Sequence, residues 1–462
     1  MPSPTRKSRR ALAATAALVT AAAGAAEAQA SLTLYNDGRV LVRREFPLEV
    51  KRGDGQYSVP LGYVDPGSIF ALDADVQVTA GRYDVGTDFD SALRRAVGRK
   101  LTFRNGKDSV VAEVLGVNPA RYRMPDGSIS FSMPGTPQFP AELVTIDPSF
   151  SFTAQSAQAR RSLRLGYFTE GGGWQASYQA VLDPKATTAR ISGTAVVNGG
   201  QLRVANAELQ LLAGQVNRVT NAYEARDQAM RVAAAAPMQT REALPSQEKV
   251  GEFHLYTLPG RHAIEPGIVT TVGLFEPASA PITKAFEVRG NIPWWGGLPQ
   301  YGDEEEVPVN VTYTVTRARQ TPLGDRPLPG GVVRLFQPDS AGRLQLIGES
   351  AINHSPAGED LRLDVGTAFD LTAKRVQTTY VTSRDTTGGR RRTVATADYR
   401  VTLTNAGDEP VTVDVLEQRG GEWSILSSST RAEKLSSTRT RFRVTVPAKG
   451  EAKLTYRVRV VW

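Results

Sequence analysis

The residues best suited to acid–base chemistry surround His354, one of three histidines in this 462-residue sequence. Imidazole titrates near neutral pH and often binds metals, and Glu349, Glu359 and Asp370 lie close to His354 in the sequence. One hypothesis is a hydrolase in which His354 acts as a base beside one of these carboxylates. The alternative is a turn in which His354 hydrogen-bonds the backbone. A metal site needs three or four convergent ligands, and this spacing supplies one nitrogen, so no metal is predicted.

The best candidates for ligand binding are Trp294, Trp295 and Tyr301, which lie in a loop rich in glycine and proline. Exposed aromatic faces stack on sugar rings or anchor protein partners. The alternative, favoured by the difficulty of leaving two adjacent indoles in water, is that they fold back and seal one end of a β-sandwich. The acidic run at 303–306 lacks the alternating oxygen ligands of a calcium loop and indicates a solvated surface.

Motifs that would indicate a nucleophile or a cofactor are missing from the sequence. It contains no G-x-S-x-G nucleophile elbow and no G-x-G-x-x-G or G-x-x-x-x-G-K-[ST] phosphate loop. It also contains no cysteine, which excludes thiol catalysis, cysteine metal sites and disulfides. No cofactor is therefore predicted.

Alternating apolar residues and turn signals indicate that β-strands position the candidate residues. Leu163, Leu165 and Tyr167 fall on one face of a strand, and Asn198-Gly199-Gly200 marks a turn further along. Similar alternation continues to the last residue, Trp462. We therefore predict an all-β fold of antiparallel β-sandwich domains with a small SH3-like barrel insert and very little helix. The final strand also resembles the closing strand of an outer-membrane barrel, which the prolines and a long linker disfavour.

The predicted domain organisation follows from changes in composition along the chain. A short helix at Phe89–Gly98, capped by Asp90 or Ser91, opens the barrel insert. The Ala-, Gln- and Arg-rich stretch Asn221–Lys249 has few apolar residues to bury and is interpreted as a linker. The predicted segments are a signal peptide (1–30), N-terminal strands packing with the central sandwich (31–88), the small barrel (89–158), the central sandwich core (159–220), a flexible linker (221–249), bridging strands with the aromatic and acidic loop (250–330), and the C-terminal β-sandwich (331–462).

The first thirty residues have the features of a secretory signal. Arg6, Lys7, Arg9 and Arg10 precede a small-residue apolar run, and Ala28-Gln29-Ala30 fits an A-x-A cleavage site. The run is too short to span a membrane, so no transmembrane anchor is predicted. The paired arginines leave twin-arginine export open beside the general secretory route.

Cleavage near Ala30 predicts a periplasmic or secreted protein with a modest positive charge. Loss of four basic side chains and Glu27 lowers the formal charge from +8 to +5. The remaining basic residues are spread along the chain and do not indicate a nucleic-acid groove. An envelope protein or a polysaccharide is the expected partner.

Four stretches of the sequence resemble the mucoidy-inhibitor-like family of exported bacterial proteins, whose shared domain has no assigned function. They are LTLYNDGRVLVRREFPLEV near the start, GYFTEGGGWQASYQAVLD and LQLLAGQVNRV in the middle, and the block from Pro327 to Asp370. The resemblance covers nearly the whole mature chain and implies a β protein of the bacterial envelope with no accepted catalytic residues. The long coiled-coil insert of some members is missing, and the stretch Asn221–Lys249 takes its place.

The sequence therefore predicts an exported, non-catalytic β-sandwich protein of the bacterial envelope that binds a protein or polymer partner. The alternative is an envelope hydrolase centred on His354 and the nearby carboxylates. Convergence of His354 with Glu349, Glu359 or Asp370 in one cleft would favour the enzyme. An exposed aromatic patch would favour the binding protein.

Overall fold

A computed structural model describes residues 30–214, 216–217, 245–292, 303–385 and 392–462. Nearly every element in these ranges is a β-strand, and most strand pairs are antiparallel. The only α-helix in these ranges is α1, Phe89–Arg95, and no described helix has the length and apolar character needed to cross a bilayer. The predicted all-β fold with very little helix is confirmed.

The strands account for most of the described chain. The first fifteen are β1 Ala30–Tyr35, β2 Arg39–Phe46, β3 Gly53–Pro60, β4 Phe70–Ala71, β5 Val76–Asp84, β6 Lys100–Asn105, β7 Asp108–Val117, β8 Ala120–Arg123, β9 Ile129–Ser130, β10 Thr136–Gln138, β11 Ser149–Ser156, β12 Leu163–Glu170, β13 Gly173–Leu182, β14 Thr188–Asn198 and β15 Val204–Ala213. The others are β16 Ser246–Val250, β17 Phe253–Thr257, β18 His262–Ile264, β19 Val269–Asn291, β20 Glu305–Val307, β21 Val309–Val315, β22 Gly331–Pro338, β23 Leu344–Ile352, β24 Leu361–Thr367, β25 Leu371–Asp385, β26 Arg392–Asn405, β27 Val411–Gln418, β28 Glu422–Ser428, β29 Ala432–Lys434, β30 Arg439–Val446 and β31 Gly450–Val461.

The chain divides into two compact units. In its described residues the first unit contains Ala30, Arg43–Gly62 and Pro66–Tyr167, and the second lies within Ser31–Val42, Tyr63–Asp65 and Phe168–Trp462. Strands β2 and β12 include points at which the chain passes from one unit to the other. All candidate site residues that the structure describes belong to the second unit.

The first unit contains a five-stranded sheet within the segment predicted as a barrel insert. Its strand order is β10-β6-β7-β8-β9. Leu93 of α1 shares one buried core with Phe103 and Tyr122 of this sheet, whose rings meet edge to face at 5.4 Å. Strand β11 pairs instead with β3 and β5 in a separate three-stranded sheet.

The N-terminus of α1 corrects the sequence prediction. Asp88 is the N-cap, rather than Asp90 or Ser91, because Asp88 Oδ1 accepts a hydrogen bond from the Ser91 N–H at 2.8 Å. A capping side chain bonds the N–H two or three residues ahead, so Ser91 is the donor and Asp90 lies in the first turn. The helix ends at Arg95, three residues before the predicted end at Gly98, which takes a φ of +82°.

The central part of the second unit contains strands from two sheets. Strands β13 and β14 pair antiparallel and belong to a ten-stranded sheet, whereas β15 pairs with β17 and β18 in another. The turn predicted at Asn198-Gly199-Gly200 therefore carries the chain from one sheet to the other. Asn198 Oδ1 accepts from the Gly200 N–H at 2.9 Å, and Gly200 takes a φ of +64°, a conformation that glycine adopts without strain.

The C-terminal part of the second unit is a β-sandwich. One sheet has the order β20-β25-β26-β31-β28, and the facing strands include β19, β27 and β30. Their inward residues form a single apolar core that includes Val401, Val415, Phe442 and Tyr456. Strands β25 and β26 pair antiparallel.

The predicted linker at 221–249 is wrong at its C-terminal end. Ser246–Val250 forms strand β16, which pairs antiparallel with β17. All five of its residues are exposed, so backbone hydrogen bonds rather than apolar burial hold the strand. A strand of this kind leaves no apolar alternation for the sequence to reveal. Residues 221–244 lie outside the described residues.

Candidate binding site

The side chain of His354 binds the protein backbone. His354 lies between β23 and β24, and its Nδ1 accepts a hydrogen bond from the Gly330 N–H at 3.0 Å. A backbone N–H can only donate, so Nδ1 carries no proton and the neutral imidazole holds its proton on Nε2. His354 therefore bonds backbone, as in the alternative from the sequence, but its partner is Gly330, 24 residues away, and not its own turn.

The three acidic residues proposed as partners of His354 make other contacts. Glu349 lies on β23 and pairs with Arg334, Oε1 to Nε at 2.7 Å. Glu359 and Asp370 contribute backbone carbonyls, which accept from the Arg317 side chain at 3.0 Å and from the Ala406 N–H at 2.8 Å. Within the described ranges, no hydrogen bond or ion pair joins His354 to any of the three.

Two further predictions concern metals and aromatic residues. The described part of the chain contains no group of three or more side chains arranged to hold a metal ion. Trp294, Trp295 and Tyr301 lie outside the described residues, so the choice between an exposed aromatic patch and a sandwich seal stays a prediction. Trp174, on β13, is buried, and its Nε1 donates to the Leu212 carbonyl at 3.2 Å.

A second histidine lies near His354 although it is distant in the sequence. Partial burial and then the charge of His254, on β17, lower the pKa of His354 below its usual value. The Nδ1 of His254 accepts from the side-chain amide of Gln247 on β16, at 3.0 Å. Gln247 also lines a cleft, which connects this histidine pair to the concave surface described next.

The cleft has a volume of about 250 Å³ and lies beside strands β16, β17 and β19. One side is formed by aromatic and aliphatic side chains, and the other by the segment that leads into β22. The lining residues are Pro245, Gln247, Tyr256, Leu274, Phe275 and the run from Asp325 to Pro329. This volume is below the usual range of about 300–1,000 Å³ for small-molecule pockets, so the cleft suits a group the size of one or two side chains.

Two tyrosine hydroxyls hold the wall of the cleft at residues 327–329. Tyr178, on β13, donates to the Pro329 carbonyl at 2.7 Å, and Tyr256, on β17, donates to the Pro327 carbonyl at 3.4 Å. Burial raises the pKa of both hydroxyls above the usual value, so they remain protonated donors. Between them, Leu328 and Ser355 exchange backbone hydrogen bonds at 2.8 and 2.9 Å, which ties the wall to the His354 segment.

The same wall is anchored from behind by Arg317. This side chain is fully buried, and burial lowers the pKa of its guanidinium. It makes no ion pair within the described part of the chain, and backbone carbonyls satisfy it instead. Its guanidinium donates to the carbonyl oxygens of Leu323, Arg326, Pro356 and Glu359. Since these carbonyls belong to two loop segments, a single side chain fixes both.

Arg326 is the charged side chain whose guanidinium remains available at the cleft. Its guanidinium carbon lies 5.6 Å from the ring centre of Phe275, and its Nε binds Asp325 Oδ1 at 3.1 Å. In the part of the chain that the structure describes, neither terminal nitrogen of Arg326 donates a hydrogen bond. Stacking and the Asp325 contact therefore orient a guanidinium fork that still has donors to offer.

Sequence reasoning missed both arginines, although one left a signal. Val309, Tyr313 and Val315 are inward, buried positions of β21, and Arg317 continues that alternation beyond the strand. An arginine at an inward position must find buried acceptors, so it marks an ordered polar cage. Arg326 has no comparable signal, because its partner Phe275 is distant in the sequence.

No protein-family model and no curated protein matches this chain. The resemblance to the mucoidy-inhibitor-like family therefore remains a proposal.

Proposed function

We propose that this chain is an exported, non-catalytic β-sandwich protein of the bacterial envelope that binds a protein or polymer partner through the cleft beside His354. The observation that supports binding is the fixed cleft wall at residues 327–329. Tyr178 and Tyr256 bond its carbonyl oxygens, Leu328 pairs with Ser355 through the backbone, and Arg317 holds the adjoining carbonyl of Arg326. A wall that is already ordered loses little conformational entropy when a partner binds, which favours affinity.

Export and the envelope location are supported by the sequence. The basic residues, apolar run and Ala28-Gln29-Ala30 site resemble a secretory signal, and the resemblance to the mucoidy-inhibitor-like family points to the same compartment. N-terminal sequencing of the protein from a bacterial expression host should therefore find Ser31 as the first residue. An exported protein that still began at Met1 would contradict this part of the proposal.

Binding at the cleft is tested by filling its mouth. Gln247→Tyr adds a ring on the residue of β16 that lines the cleft. Ser246→Tyr adds the same ring to the neighbouring residue, whose side chain points to the opposite face of the strand; both positions are exposed. Each protein is immobilised and incubated with envelope extract. The wild-type mature protein and the Ser246→Tyr variant should capture the same partner, and the Gln247→Tyr variant should not capture it. Equal capture by the two variants would show that the partner binds elsewhere.

The hydrolase alternative loses its main support because His354 is not joined to Glu349, Glu359 or Asp370. It can be tested separately with His354→Gln. Ester or glycoside hydrolysis by the wild type that disappears in His354→Gln would replace the binding proposal with the enzyme.

A further inference from the structure

We propose that the cleft recognises a carboxylate side chain in an extended acidic segment of a partner protein, with Arg326 as the residue that binds it. This inference rests on the proposed binding function and names the chemistry of the partner. The contacts of one guanidinium, the charges around it, and the open edge of β16 each support it.

The contacts of Arg326 leave the required donors free. The Phe275 ring supports one face of the guanidinium, and Asp325 occupies its Nε. The side chain is 33% exposed, and its two terminal nitrogens make no hydrogen bond to any described residue. A planar guanidinium held in this way matches a carboxylate, since both groups are flat and the donors and acceptors lie in one plane.

The charges around the cleft also favour an anion. Asp325 is the one carboxylate among the lining residues, and it already binds Arg326. Behind the wall, the guanidinium of Arg317 is buried with carbonyl oxygens as its partners. The Glu359 and Asp360 carboxylates offset part of this charge from beyond ion-pair distance, so Arg317 adds only a modest positive potential behind the cleft.

The strand at the edge of the cleft indicates that the carboxylate belongs to a peptide. Within the described residues, β16 pairs on one side only, with β17. Its other side presents backbone N–H and C=O groups to which an extended segment can add. Gln247 lies on this strand and lines the cleft, so a segment running along β16 can place one side chain into the cleft. The apolar side chains of Leu274 and Leu328, on opposite sides of the cleft, suit the methylene groups that carry the carboxylate.

The test uses a fluorescein-labelled, C-terminally amidated peptide with the alternating sequence Val-Glu-Val-Glu-Val-Glu and a matched peptide with Gln in place of Glu. Anisotropy titrations with the mature protein should show that the Glu peptide binds at least roughly tenfold more tightly than the Gln peptide, as expected for charge-assisted hydrogen bonds. Arg326→Gln should remove this preference. Arg326→Lys, which keeps the charge but not the planar fork, should retain only part of it.

The matched control is Arg343→Gln, which makes the same change of charge at a highly exposed arginine in the β22–β23 turn. This variant should bind the Glu peptide as the wild type does. All variants should melt at nearly the wild-type temperature, because the pairs that they remove are exposed. Equal binding by Arg326→Gln and Arg343→Gln would overturn the role of Arg326.

Two further measurements test the source of the carboxylate. A Gln peptide with a free C-terminal carboxylate should bind no better than its amide, and equally tight binding to the Glu peptide would show that a chain terminus is recognised instead. A polyuronate that displaces the Glu peptide at lower carboxylate concentration than unlabelled Glu peptide would assign the site to acidic polysaccharides. If Arg326→Gln still captured the partner that Gln247→Tyr loses, the carboxylate inference would fall while the binding function would stand.

Discussion

Replacing Arg375 with Met should destabilise the C-terminal sandwich by about 3–5 kcal/mol, the usual effect of breaking a buried ion pair. Arg375, on β25, donates twice to Glu417 on β27, from Nε to Oε1 at 3.1 Å and from Nη2 to Oε2 at 3.2 Å. The Glu417 side chain is fully buried and that of Arg375 is 11% exposed. In the Arg375→Met variant, the Tyr456 hydroxyl is the one donor among the described residues that still bonds the Glu417 carboxylate.

The surroundings of Glu417 prevent the stranded carboxylate from reaching water. It lies against Gly290 of β19, where a Cβ atom would come within 2.3 Å of Oε1. On the other side, the Tyr399 ring stacks 4.1 Å from the guanidinium carbon of Arg375. Burial acts to lower the pKa of Arg375, but the Glu417 charge together with Tyr456 and Tyr399 outweighs it and raises that pKa above the usual value. Arg375 therefore keeps its positive charge.

Urea unfolding followed by circular dichroism measures the effect. With a urea dependence of about 2 kcal/mol per molar, a loss of about 3–5 kcal/mol lowers the midpoint by about 1.5–2.5 M. The control is Arg457→Met on β31, which breaks an exposed pair with Asp398 of the same two-bond geometry. Because exposed pairs contribute little to stability, this control should leave the midpoint almost unchanged.

A second variant separates the stranded charge from a simple loss of packing. The triple variant Arg375→Met, Glu417→Leu and Tyr456→Phe removes both charges of the pair and the hydroxyl that bonds it. Most of the stability lost in the single variant Arg375→Met should therefore return. The reasoning would be refuted if Arg375→Met shifted the midpoint no more than Arg457→Met. It would also be refuted if the triple variant were as unstable as the single one.

Three other perturbations have defined outcomes. Arg317→Met should lower the urea midpoint by at least as much as Arg375→Met, because each buried carbonyl left without a donor costs about 1–3 kcal/mol. An unchanged midpoint would show that the Arg317 guanidinium does not hold these carbonyls in place. His354→Gln tests the pH dependence of stability. The pKa of His354 in the folded protein lies below the unfolded value of about 6.5. The contribution of His354 to the free energy of unfolding is therefore complete above about pH 6.5 and is lost as the pH falls toward the folded pKa. The stability of the wild type relative to His354→Gln, measured by urea unfolding, should therefore decrease from pH 7.5 to pH 5.5, and an increase would reverse the sign. Replacing Trp294 and Trp295 with Ala should cost about 3–5 kcal/mol for each ring if they seal the core, whereas an unchanged melting temperature with weaker partner binding would assign them to a binding surface.

The strands could be predicted because burial on one face leaves an alternating record in the sequence. Leu163, Leu165 and Tyr167 are all fully or almost fully buried, as their spacing required. The same logic fails for β16, whose residues are all exposed. Pairing partners distant in the chain also leave no local record, as with β13 and β22, which run parallel although about 150 residues of sequence separate them.

The candidate site was only partly predictable for the same reason. His354 was identifiable from its residue type, and its backbone-bonded alternative is what the structure contains. Its electrostatic neighbour, His254, belongs to another strand, and nothing local connects the two. Carboxylates close in sequence to His354 suggested an acid–base pair, but Glu349 points to Arg334. Proximity along a β chain is a poor guide to contact, because successive side chains point to opposite faces.

Arg317 and Arg326 show how burial divides one residue type into two roles. Backbone carbonyls take up the guanidinium of Arg317, so it is committed to the wall and has little left to offer a ligand. Arg326 contributes its own carbonyl to that cage, and this holds its backbone in place while its partly exposed side chain faces the cleft. Loss of Arg317 should therefore reduce both stability and binding, whereas loss of Arg326 should reduce binding alone. The difference between these two variants separates a residue that builds the site from one that uses it.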